Sequence, residues 1–118
     1  MKSLTTMRWL PVSIFGAALA LTALAAQAQT VVRGPYLQLS TENSVVVKWR
    51  TDVATESLVR FGTVQGTLAN QTMPAGTRTE HEVTVSGLAA DTKYFYAVGS
   101  ANATLAGNDA NHFFRTHP

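Results

Sequence analysis

From Val31 onward the chain alternates between apolar and polar positions with a period of two. The clearest stretch is Ser44 to Thr51, where Val45, Val47 and Trp49 fall on one side and Val46, Lys48 and Arg50 on the other. That is the pattern of a strand with one face against a core, and Trp49 is its natural centre. Val31 to Leu39 reads as an earlier strand. Pro35 cannot donate a ladder hydrogen bond, so this strand belongs at a sheet edge or is kinked there. Ser40-Thr41-Glu42-Asn43 is a polar turn and Thr51 to Glu56 a loop. Ser57 to Gly62 predicts a third strand with Val59 and Phe61 inward. Gly62 to Gly66 turns the chain, Leu68 to Met73 is a weak strand, and Pro74-Ala75-Gly76 turns again. Thr77 to Ser86 puts His81, Val83 and Val85 on one face and Glu80, Glu82 and Thr84 on the other.

The most informative stretch runs from Gly87 to Gly99. Leu88 closes one strand, Ala89 to Asp91 make a short corner, and Thr92 to Val98 begin a new strand. Tyr94, Tyr96 and Val98 share one face; Lys93, Phe95 and Ala97 share the other. A Tyr just past such a corner sends its ring inward and its hydroxyl back to the upstream backbone, the tyrosine-corner device of Greek-key sandwiches. Asn102 to Asn111 reads as a small, polar, flexible loop, and Asn111 to Thr116 as the last strand. With strands and turns in regular succession and no helical periodicity after residue 28, the pattern predicts an all-β sandwich of about seven strands.

Residues 1–28 do not belong to that domain. Lys2 and Arg8 precede a charge-free apolar run from Trp9 to Ala26, and Ala26-Gln27-Ala28 is a small-x-small cleavage site. This predicts a secretory signal peptide cut after Ala28, with residues 29–118 as the exported domain, secreted or periplasmic. The formal charge of +2 then loses its meaning: without Lys2 and Arg8 seven basic and seven acidic residues remain. Neither nucleic acid nor, after cleavage, a membrane is an expected partner. The chain has no Cys, which excludes disulfides, thiolate metal sites and cysteine nucleophiles.

Arg33-Gly34-Pro35-Tyr36-Leu37-Gln38, Val47-Lys48-Trp49-Arg50-Thr51 and Val59-Arg60-Phe61-Gly62-Thr63 follow in order. They are succeeded by Glu80 to Leu88, Lys93 to Gly99 and His112-Phe113-Phe114-Arg115-Thr116. Over Arg33 to Pro118 this series resembles the N-terminal, fibronectin type III-like domain of purple acid phosphatases and related bacterial metallophosphoesterases. Ala90 departs from it, standing where the fibronectin type III pattern usually has Pro. The resemblance implies an immunoglobulin-like Greek-key sandwich that precedes a larger catalytic domain. In the family that second domain hydrolyses phosphate esters at a two-metal centre, iron with zinc, manganese or iron. Its ligand motifs, Gly-Asp-x-x-Tyr and Gly-Asn-His-Asp/Glu, do not occur here. The expectation is a truncated product, part of a longer protein or a free-standing homologue of the first domain. Its partner would be a C-terminal metallophosphoesterase domain if the parent gene continues.

The residues themselves promise no chemistry. Two-metal hydrolysis needs carboxylates and imidazoles converging on ions about 4 Å apart, and the seven carboxylates and three His are scattered. In Glu80-His81-Glu82 the His points away from both Glu, predicting two solvated carboxylates and a partly buried ring. Asn111-His112 resembles the Gly-Asn-His motif only superficially, since Ala110 precedes it and Phe113 follows, and His117 has no visible partner. No catalytic, cofactor-binding or metal residues are therefore assigned, and the chain alone is not expected to be an enzyme. Asn70-Gln71-Thr72 and Asn102-Ala103-Thr104 fit the glycosylation acceptor pattern and are read as loops. Phe95, outward beside Lys93, and the Phe113-Phe114 strand are the expected places for another domain to pack. The alternative is a free-standing secreted binding or adhesion module, using the loops Thr51 to Glu56, Thr63 to Leu68 and Ser100 to Asn111.

Overall fold

The computed structural model describes residues 29–118; the predicted signal peptide over residues 1–28 lies outside the described residues. These form eight strands and no helix. β1 (Val31–Gln38), β2 (Val45–Glu56) and β5 (Thr77–Val85) make one antiparallel sheet in the order β1-β2-β5. β3 (Leu58–Gly62), β4 (Asn70–Thr72), β6 (Lys93–Ser100), β7 (Ala103–Gly107) and β8 (Phe113–Arg115) make the other, ordered β4-β3-β6-β7 with β8 also on β6. The chain crosses between sheets after β2, after β4 and after β5, which closes a sandwich over one core.

Alternation places that core where the sequence puts it. Val45, Val47 and Trp49 from β2, Val83 and Val85 from β5, Val59 and Phe61 from β3, and Tyr94, Tyr96 and Val98 from β6 are all buried together with Leu88 and Phe114. Each large apolar side chain removed from water this way contributes about 1.5–3 kcal/mol. The corner also forms as predicted: the Tyr94 hydroxyl accepts the Ala89 amide at 2.9 Å. Asp91 takes the left-handed conformation, φ 48°. The Thr116 hydroxyl bridges the two ends of the turn, donating to the Ala89 carbonyl at 2.6 Å and accepting the Thr92 amide at 2.9 Å.

β1 is both an edge strand and kinked. Its register on β2 shifts between Arg33 and Tyr36, around Gly34 and Pro35. Gly34 has φ +87°, and a Cβ there would stand 2.9 Å from the Lys48 carbonyl oxygen. Only glycine lets the edge strand come that close.

Two predicted loops are strands. Thr51 to Glu56 continues β2, but as an excursion: Arg50 pairs with Glu80 and Thr55 with Arg78, so four residues bulge opposite Thr79 alone. The Thr51 hydroxyl donates to the Val53 carbonyl at 2.7 Å, and the amides of Asp52 and Thr30 tie the excursion to the start of the domain. Within Asn102 to Asn111, residues Ala103 to Gly107 pair with Ser100 to Ala97 as β7. Small residues hid this strand, because alanine and glycine carry little strand signal of their own. β7 and β8 are one edge interrupted by an outpocketing at Asn108 to His112. Both ends of it are held by Tyr96, whose carbonyl accepts the Asn108 amide at 3.0 Å and whose amide donates to the His112 carbonyl at 3.1 Å. That interruption is why eight strands appear where about seven were expected. The weak strand at Leu68 to Met73 shrinks to the three residues of β4.

Candidate functional site

The Glu80-His81-Glu82 segment pairs antiparallel with Lys48-Trp49-Arg50, residue against residue. The charged members face outward. Lys48 meets Glu82 at 3.4 Å, Arg50 bonds Glu80, and Arg33 on β1 reaches the same Glu80 carboxylate at 4.0 Å. Arg33, Lys48, Glu80 and Glu82, with Tyr36 and His81, line a half-open depression of about 360 Å³. Its carboxylates are already matched by cations, so they are bound as well as exposed. Exposed pairs of this kind contribute about 0–1 kcal/mol each.

The inward members stack. The Trp49 and His81 rings lie 4.6 Å apart and within 4° of parallel. His81 is 2% exposed, fully buried rather than partly so: Trp49 covers one ring face, and Thr51, Thr55 and Ser57 stand against the ring nitrogens. Its Nδ1 is 2.7 Å from the Ser57 hydroxyl, and its Nε2 is 3.0 Å from Thr51 and 3.4 Å from Thr55. The protons can be assigned. Thr51 spends its hydroxyl proton on the Val53 carbonyl and Thr55 on that of Glu56. Both oxygens are then acceptors, so Nε2 carries the proton and Nδ1 accepts from Ser57. Burial pushes His81 below the ordinary imidazole range; Arg78 adds to the effect and Glu80 opposes it. Ser57 beside a neutral His has the look of a nucleophile and its base, but the hydroxyl is 1% exposed, out of any substrate's reach.

His112 pairs with Asp109 instead of any metal ligand set. The Asp109 Oδ1 accepts His112 Nδ1 at 2.8 Å and the amides of Asn111 and His112 at 2.9 and 3.1 Å. The carboxyl is held below its usual range, first by the His112 side chain and then by the Asn111 amide. His117 is exposed, and its backbone joins the Asp91 amide to the Thr41 carbonyl. Among the described residues no group of three or more His, Asp or Glu comes together.

The outward aromatic face is real and extends to the next strand. Phe95 on β6 and Phe113 on β8 are directly paired, with ring centroids 6.4 Å apart and edge to face. Lys93 Nζ stands 5.1 Å from the Phe95 centroid and 4.3 Å from that of Phe113. Phe113 remains 46% exposed, while Phe114 turns inward against Tyr94 and Tyr96. The Phe113-Phe114 pair thus divides: one residue belongs to the surface and one to the core. Arg60, opposite Ala97 on the same outer face, has a buried Nε with no partner among the described residues.

Residues 32–116 match the family model of the purple acid phosphatase N-terminal domain. The chain belongs to that family. The match covers β1 from its second residue through to Thr116, just past β8. No curated protein matches the chain. As a purple acid phosphatase N-terminal domain, it presents two unlike outer faces. The three-stranded sheet carries two carboxylates paired with three cations; the five-stranded sheet carries the Lys93-Phe95-Phe113 patch. Pairing Lys48-Trp49-Arg50 with Glu80-His81-Glu82 in antiparallel register would have revealed the ion pairs and the Trp-His stack from the sequence. The hydroxyl cage around His81 left no such signal, since Thr51 and Thr55 fall in the predicted loop and Ser57 opens the predicted third strand.

Proposed function

We propose that this domain is the non-catalytic N-terminal module of an exported, purple-acid-phosphatase-like metallophosphoesterase. Its role is to pack against and support a catalytic domain that holds the two-metal centre. The match of residues 32–116 to the family carries this reading. Two features of the surface support it. The carboxylates and imidazoles that a metal would need are engaged elsewhere: Glu80 and Glu82 with cations, His81 with hydroxyls, His112 with Asp109. The Lys93-Phe95-Phe113 patch supplies an apolar face with a cation, the kind of surface that another domain covers.

The test is to assay the purified chain on an aryl phosphate with iron, zinc or manganese. The expected rate equals that of the metal alone, and metal-dependent turnover would overturn the proposal. The reading frame beyond the Pro118 codon is expected to encode Gly-Asp and Gly-Asn-His motifs. For export, the protein recovered outside the cytoplasm is expected to begin at Gln29.

A further inference from the structure

We propose that His81 is an acid-sensitive latch, whose protonation unfastens the β2 excursion and the β2–β3 crossing from β5. The inference concerns the domain itself and does not depend on a catalytic partner. One ring on β5 holds three hydroxyls that are distant from it in sequence: Thr51 at the start of the excursion, Thr55 at its end, and Ser57 where the chain passes to the other sheet. All three are buried, at 1–2% exposure. The cage fits only the neutral ring. A second proton on Nδ1 would force Ser57 to accept, and the Ser57 hydroxyl proton then has no acceptor in the cage. A buried donor without a partner costs about 1–3 kcal/mol, and a buried charge more.

The surrounding charges do not rescue the protonated ring. On β5, Glu80 favours it, but Glu80 is bonded to Arg50 and near Arg33, and Arg78 opposes it. On β2, the Glu56 carboxylate faces the Ala101 amide at 3.3 Å and the Asp52 carboxylate the Thr30 amide at 2.9 Å. β1 brings Arg33 and Tyr36, and β2 brings Lys48, to a depression that His81 also lines; Glu82 there is paired with Lys48, and the two cations disfavour a charged ring. From β3, Arg60 lies on the opposite, outer face of the other sheet. Besides Glu80, the stacked Trp49 face favours a cation, by about 0.5–2 kcal/mol. The balance keeps His81 below the ordinary imidazole range, burial being the leading cause. For a depressed His the sign is fixed: the latch is fully closed above the unfolded value of about 6.5 and opens as pH falls through the folded one.

The experiment is amide hydrogen exchange by NMR on the full chain, from about pH 7.5 to about pH 5, corrected for intrinsic rates. Carboxylates stay ionised across most of that window. Opening of residues 53–57 is expected to rise with acid by up to about tenfold per pH unit, the limit for one proton. The amides of Val59 and Val98, in the β3–β6 pair, are expected not to follow. At neutral pH the ring nitrogen shifts are expected to show a protonated Nε2 and a bare Nδ1. A uniform change across the domain, no change at all, or the opposite tautomer would overturn the latch. His81→Gln, where it folds, should remove the pH dependence; acid opening that persists in it would also overturn the proposal.

Discussion

Tyr94 and Thr116 secure one corner from two sides, and each does so with a single hydroxyl. The Tyr94 ring is core, stacked on Phe114 at 5.5 Å, while its oxygen holds the Ala89 amide. Tyr94→Phe keeps the ring and loses only the bond, so urea denaturation should show a stability loss of about 1 kcal/mol. Phe114→Ala is a different kind of change, emptying a site packed by Tyr94 and Tyr96. It should cost about 3–5 kcal/mol by the same measurement. The Tyr94 contact was legible in the sequence because corner, spacing and aromatic residue are all local. The buried state of His81 was not. Alternation gives the side of the sheet that a residue faces, but not how completely distant side chains cover it.

At the scale of elements, local chemistry and pairing part company. The turn Ala89-Ala90-Asp91-Thr92 has its third residue at φ 48°, the arrangement in which Pro favours the second position. Ala90 donates no backbone hydrogen bond to another described residue. Ala90→Pro should therefore raise the thermal midpoint, with a gain of about 0.4–1 kcal/mol from the stiffer unfolded chain. The outpocketing at Asn108 to His112 depends on one carboxylate. Asp109 is depressed, so its contribution is present above the unfolded value of about 3.9 and lost as pH falls through the folded one. Asp109→Ala should free the Asn111 and His112 amides to exchange at neutral pH, with the β3–β6 pairs still protected. β2, β3, β5 and β6 were readable because β-branched and aromatic residues alternate along them. β7 was not, since its backbone is held by β6 and its side chains have little say; Gly107, at φ +104°, would put a Cβ 2.7 Å from the Ala97 Cα.

For the molecule as a whole, the question is which face meets other matter. The three-stranded sheet pairs both its carboxylates with cations, and the five-stranded sheet leaves Phe113 half in water beside Lys93. Phe113→Ser loses the Phe95 and Lys93 contacts, so urea denaturation should show a stability loss of about 1 kcal/mol with the fold kept. If the proposed docking holds, the same change should weaken attachment to the phosphatase domain, read by limited proteolysis of the two-domain protein. The β class, the inward residues, the corner and the kinship could be read before any folding, because each rests on spacing along a few neighbouring residues or on their order. That Thr51, Thr55 and Ser57 gather on His81, that β7 exists and that Phe113 and Phe114 part company was settled by the folded chain. Those outcomes depend on which backbone lies beside which, and pairings between residues far apart in the chain leave no mark on either partner alone.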